Sequence, residues 1–192
     1  MEYLTGKGNE ERAPIDGGII QAPASDREAI VMQMDPEIYE KSCDVAKAML
    51  ASGNAEEIMP STLVKKILPC PVTARRWLSL ASPSHDGDDD YFSSDLTDEQ
   101  LMKSFGKLPK RTPFCILISA EDEYMPKSID KEKLLERWVR IVKSGEGTVD
   151  EEHSGVVEGA SHNLSGNPER VVKGLVGRVL LFLDGLEVKS NL

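Results

Sequence analysis

Two residues of this chain have the types and positions to do chemistry together. Asp122 lies just past the apolar run Phe114 to Ser119, "FCILIS", and His162 lies just past the β-branched run Gly155 to Glu158, "GVVE". A carboxylate that accepts a hydrogen bond from one imidazole nitrogen fixes the ring tautomer and stabilises the imidazolium, so the other nitrogen can act as a general base. Such a pair serves acyl transfer once a hydroxyl is supplied for it to activate. Taken singly, Asp122 reads better as a turn acid bonded to nearby backbone N–H groups, and His162 as an ordinary loop residue. Their order and their shared position at strand ends favour the pair.

The elements that must position them are legible in outline. "FCILIS" has the continuous apolar character of a strand buried on both faces, as parallel sheets contain. Asp130 caps a helix after it, Ile129 and Leu134 are placed for a hydrophobic staple, and Leu135, Trp138, Ile141 and Val142 extend the buried face to Gly145. A charged loop, Glu146 to Ser154, precedes the strand Gly155 to Glu158. Asn167 then caps a last helix with Pro168 at its first position, and Val171, Val172, Leu175, Val176, Val179 and Leu183 are expected to face inward. Strand, polar turn and helix thus occur twice, the pattern of βα units. In such sheets ligands collect at the carboxyl ends of the strands, where both Asp122 and His162 fall.

Earlier in the chain, "GGIIQAP" from Gly17 to Pro23 reads as a short buried strand. A helix runs from the cap at Asp35 with Pro36 at its first position to Gly53, presenting Ile38, Val45, Ala46, Met49 and Leu50 on one face. Pro60, Pro69, Pro71 and Pro83 then restrict regular structure to short pieces such as Thr73 to Leu80. Thr97 and Gln100 make a T-x-x-Q capping box for a brief helix ending at Gly106. The expected organisation is an α/β core of about three parallel strands formed by residues 1–23 and 112–192, with a mainly helical insertion, 24–111, between them.

Composition narrows the partners. The 192 residues include 33 acidic and 23 basic side chains, a net charge of -10, which opposes sequence-independent attraction to nucleic acid or anionic membrane. Cys43, Cys70 and Cys115 are odd in number and have no C-x-x-C spacing, so neither a disulfide framework nor a zinc site is indicated and a reducing, cytoplasmic compartment fits best. "MEYLTGKGNEER" carries no apolar secretory core. A strand at Gly18 to Ala22 with an unpaired edge would invite self-association.

Other candidates read as structural. Cys115 sits inside the apolar strand, where a thiol behaves as a small hydrophobe. Ser161 adjoins His162, but adjacency is not a triad, and a turn role fits it. Asp86, Asp88 and Asp90 match the first alternating positions of a calcium loop, but Tyr91 replaces its glycine and Thr97 its bidentate Glu, so solvated surface acids are expected. His85 and His153 lie in polar stretches and are expected to be exposed. Trp77, Tyr91 and Phe92 in the insertion are expected to pack its core. No metal or cofactor site is indicated.

"SAEDEYMP" followed by "GASHN" resembles the acid and histidine segments of α/β-hydrolases, whose triad runs Ser, then Asp or Glu, then His. More specifically, "DGGIIQAPASDREA", "GDDDYFSSDL", "SAEDEYMP" and "VVEGASHNLSGNPE" are similar to the fungal α/β-hydrolases typified by the siderophore (fusarinine C) esterase, and these segments span most of the chain. The resemblance implies an α/β-hydrolase fold, hydrolysis of an ester in a hydroxamate siderophore or related small molecule, Asp122 and His162 as triad acid and base, and the insertion as a lid. The chain departs from that family's pattern: the nucleophile elbow, G-x-S-x-G, occurs nowhere in it, and the strands that would precede the elbow and the loop supplying part of the oxyanion hole are expected to be absent too. "MEYLTG" looks like the helix that directly follows the elbow. The expectation is therefore a truncated hydrolase, inactive alone, with a non-catalytic binding module as the alternative.

Overall fold

The computed structural model describes residues 1–87 and 90–190, with 187–190 described by backbone alone. Its regular elements are α1 (Glu2–Thr5), β1 (Gly18–Gln21), α2 (Asp26–Gln33), α3 (Pro36–Ala51), α4 (Ser61–Val64), α5 (Ala74–Ala81), α6 (Asp98–Met102), β2 (Phe114–Ser119), α7 (Lys131–Ser144), β3 (Gly155–Val157) and α8 (Glu169–Ser190). The chain divides into two compact units, one of Met1–Pro23, Ser94–Glu123 and Lys127–Leu192, the other of Ala24–Ser93 and Tyr124–Pro126.

The first unit is built on the sheet β1-β2-β3. Both pairings are parallel, with Ile20 opposite Ile116 and Ile118 opposite Val156. Every residue of β2 is buried, because the central strand of a parallel sheet has helices over both faces. On one face Cys115 and Leu117 pack with Val157, Ala160, Val171, Leu175 and Phe182 of β3, its following loop and α8. By strand alternation Phe114, Ile116 and Ile118 point to the other face, the side of Trp138 in α7, whose indole stacks on Phe105 with ring centroids 5.3 Å apart. Burying an aliphatic side chain of this size contributes about 1.5–3 kcal/mol, so this strand anchors the unit.

The helix starts follow their capping residues. The Asp130 carboxylate accepts the Lys133 N–H at 3.1 Å, and both halves of the Thr97/Gln100 capping box form. Inward positions of α8 include Val171, Leu175 and Phe182, but Val176 and Leu183, expected inside, are 44% and 43% exposed. The periodicity is apolar over too wide an arc, and the sheet covers only part of it. Asn167 also does not cap α8. Its side chain turns back to Ser161 and Gly159, and the first helical bonds end on the Pro168 carbonyl instead.

The second unit is helical. Asp35 caps α3 through the N–H groups of Glu37 and Ile38, and Cys43 and Ala46 pack with Met59, Val64, Val72, Ala74, Trp77 and Ala81. Trp77 is fully buried and donates its indole N–H to Ser42 Oγ at 3.0 Å. Ile38, expected on the buried face, is 40% exposed, since it lies in the first turn, ahead of the part of α3 that meets α5. Helix α2 has no counterpart in the sequence reading. Its signal is the Ser25-x-x-Glu28 spacing, and Ser25 Oγ accepts the Glu28 N–H at 3.2 Å.

Candidate active site

Asp122 and His162 sit just past the carboxyl ends of the adjacent strands β2 and β3, and their side chains meet: His162 Nδ1 lies 3.0 Å from Asp122 Oδ2. The carboxylate is fully buried and the imidazole is 34% exposed. A buried acid beneath a partly exposed ring is the arrangement a general base requires, because the carboxylate orients the ring and offsets the charge the ring acquires.

The two loops are stitched together by backbone. Ala120 N–H donates to the Val157 carbonyl at 3.1 Å and Glu121 N–H to the Ala160 carbonyl at 2.9 Å. Lys131, at the start of α7, donates its ammonium to the Ser119 carbonyl at 3.0 Å and also to that of Ala120, which holds the end of β2. The Glu123 carboxylate accepts the His162 N–H at 3.0 Å. That bond is the main reason the Glu123 carboxyl is held below its ordinary value. From the end of β1, Gln21 Nε2 donates to the His162 carbonyl at 2.9 Å.

Local chemistry shapes the histidine loop. Gly159 turns the chain out of β3 with φ 71°, the left-handed region where a side chain is disfavoured. Leu164 adopts φ 62° without being glycine, a strain of the kind found at functional loops. Its side chain packs against the α8-facing cluster, which holds the conformation. Ser161 takes the expected turn role: its N–H and hydroxyl both reach Asn167 Oδ1, at 2.9 and 2.8 Å. Asn167, which sequence reading assigned to a helix cap, is thus a brace of this loop.

The remaining candidates lie elsewhere. Cys115 is buried, and burial pushes its thiol up to about 11, away from the thiolate a nucleophile needs. His153, expected exposed, is only 17% exposed; its Nδ1 is 3.0 Å from Asp150 Oδ1. His85, also expected exposed, is 27% exposed and 3.5 Å from Asp90. Asp90 is not a solvated surface acid: its side chain is 3% exposed and accepts the Arg27 guanidinium at 3.0 Å. Asp86 accepts the Ser82 hydroxyl, and Asp88 lies outside the described residues. Among the described residues no group of three or more His, Cys, Asp and Glu is arranged to hold a metal ion. None of the described helices is long and apolar enough to cross a membrane. An open groove of about 660 Å³ beside β3 and α8, edged by Glu121, Glu158, Arg170 and Arg178, includes neither Asp122 nor His162.

Residues 1–184 match the family described as "Protein of unknown function (DUF1749)". Fusarinine C esterase sidJ of Aspergillus fumigatus is 36% identical over 200 residues, covering 92% of this chain and 56% of that protein. Esterase AN6793 of Emericella nidulans is 35% identical over 204 residues, covering 92% of this chain and 54% of that protein. Among solved structures, the siderophore hydrolase EstB from Aspergillus fumigatus matches with a TM-score of 0.75 at 33% identity, over 96% of this chain and 62% of that one. The chain spans about half the length of the curated relatives it matches. By its sequence over nearly its full length, and by a parallel sheet with flanking helices that matches a siderophore hydrolase, this chain belongs to the DUF1749 family and has an α/β-hydrolase fold.

Proposed function

We propose that this chain carries the acid and base of a serine ester hydrolase, Asp122 as the carboxylate and His162 as the general base, acting on an ester of a hydroxamate siderophore or a related small molecule. The observation that carries the reading is the 3.0 Å contact between a fully buried carboxylate and a partly exposed imidazole at neighbouring strand ends. The substrate class is supported by the names of the relatives, a fusarinine C esterase and a siderophore hydrolase. We assign substrate selection to the insertion, residues 24–111, as a lid.

The nucleophile is not among these 192 residues in the expected form, since no serine stands in a G-x-S-x-G elbow. An Asp–His pair without a hydroxyl and oxyanion donors has nothing to activate, so the chain alone is expected to be inactive. Incubation with a fluorophosphonate and with a chromogenic ester tests this: neither labelling nor turnover is expected. Turnover by the chain alone that His162→Ala abolishes would refute the missing-nucleophile part, and turnover unaffected by that substitution would refute the assignment of His162.

A second reading rests on the sheet edge. Among the described residues strand β1 pairs with β2 on one side only, Ile19 is 39% exposed, and Val176, Leu180 and Leu183 of α8 are 44%, 55% and 43% exposed. Such an edge with apolar surface in the same unit favours association with another chain. Oligomers in analytical ultracentrifugation are the expected result; a clean monomer would count against it.

A further inference from the structure

We propose that Glu123 and Gln21 are positioning residues: together they latch the backbone of His162 so that its imidazole stands in register with Asp122. This rests on the reading of Asp122 and His162 as acid and base, and it adds residues which that reading does not need. His162, in the loop after β3, is held from the ends of the other two strands. Glu123, four residues past the end of β2, accepts its N–H at 3.0 Å, Gln21, the last residue of β1, donates to its carbonyl at 2.9 Å, and Asp122 meets its ring at 3.0 Å.

The geometry explains why a latch is required. The imidazole hangs from a loop containing a left-handed Gly159 and a strained Leu164, and a ring on such a loop reaches a buried carboxylate only if its backbone is fixed. Asp122 cannot adjust to a displaced ring, because its side chain is fully buried. Glu123 and Gln21 are themselves exposed. An exposed polar side chain adds little to global stability, so their hydrogen bonds act locally, on the position of one residue. The Glu123 contact is charge-assisted, the stronger of the two kinds.

Nuclear magnetic resonance on the full chain, with histidine labelled in ring and backbone, tests the latch without requiring turnover. In the parent protein, His162 should show a hydrogen-bonded Nδ1–H proton signal and a slowly exchanging amide. Glu123→Ala should speed exchange of the His162 amide roughly tenfold and weaken the Nδ1–H signal. Glu123→Gln keeps an acceptor oxygen without the charge and should restore both most of the way. Gln21→Ala should act in the same direction, roughly threefold, because its bond is neutral. The urea midpoints of these variants should match that of the parent, which separates a local effect from unfolding. The latch is overturned if Glu123→Ala leaves both signals as in the parent, or if Glu123→Gln is as damaging as Glu123→Ala, which would indicate a bulk charge effect. Asp122→Ala separates the two readings: with no acceptor left it should remove the Nδ1–H signal and leave the His162 amide slow. If the signal persists in Asp122→Ala, the acid–base pairing fails while the amide data still judge the latch.

Discussion

The first unit contains two imidazole–carboxylate contacts of the same length, at opposite ends of one sheet. His162 Nδ1 is 3.0 Å from Asp122 at the carboxyl ends of β2 and β3, and His153 Nδ1 is 3.0 Å from Asp150 at their amino ends. Asp150 and His153 are three residues apart, and the same carboxylate also accepts the His153 N–H at 2.9 Å. It therefore works as a turn cap, and the ring follows the backbone. Asp122 and His162 are 40 residues apart and meet only because β2 and β3 are adjacent. The carboxylates differ as well, Asp122 being fully buried and Asp150 22% exposed. A hydrogen bond between these residue types is therefore no sign of a site by itself. What distinguishes the candidate site is its tertiary origin, the burial of its acid, and its place where helix N-termini and strand-end loops converge.

The sharpest way to break this contrast is by activity. If the part of fusarinine C esterase outside the match is joined to this chain, His162→Ala should lower kcat/KM for an ester roughly ten-thousand-fold, whereas His153→Ala should change it less than about twofold. Equal effects would erase the distinction.

Stability should show the reverse order. Asp150→Ala removes the acceptor of both His153 groups and should lower the unfolding free energy by about 2 kcal/mol, measured by urea denaturation. No loss of stability would mean that the turn holds without its cap.

Acid sharpens the same point. Burial pushes the Asp150 carboxyl up, but the His153 ring and N–H outweigh it and hold the group below its ordinary value of 3.8. The folded chain thus binds fewer protons there than the unfolded chain, so this contribution is complete above the ordinary value and fades as pH falls from it through the folded value. Unfolding curves below about pH 4 should be flatter for Asp150→Asn than for the parent.

The smallest effect is expected at Asn167. Its side chain accepts from Ser161 and donates to Gly159, and Asn167→Ala should cost about 1 kcal/mol while loosening the His162 loop in hydrogen exchange. A change confined to the first turn of α8 would restore the capping role instead.

Much of the architecture was legible beforehand because it is written in short-range chemistry. The Thr97/Gln100 box, the Asp35–Pro36 start of α3 and the all-apolar "FCILIS" each specify a local structure within a few residues, and each element forms. Helix α2 carries a start signal, Ser25 and Glu28 at capping-box spacing, but its apolar pattern is too weak to mark it as a helix on its own. Where reading failed, the cause was long-range. Ile38, Val176 and Leu183 have the right period but lie where packing among the described residues leaves them 40%, 44% and 43% exposed. Asn167 has the right type for a cap, but Ser161 competes for its oxygen and wins. Asp90, in an acidic run, is buried because Arg27 lies beside it, a neighbour 63 residues away.

Alone, the sequence determined that Asp122 and His162 follow two strands, since apolar runs and turn residues are local properties. It also determined that the G-x-S-x-G motif does not occur among these residues. Only the tertiary structure decided that the two strands are neighbours in parallel, that Asp122 is sealed from water, and that Glu123 and Gln21 grip the histidine's backbone. Those facts depend on which strand pairs with which, a choice made by the packing of both sheet faces against α7 and α8 and not by any single stretch of residues.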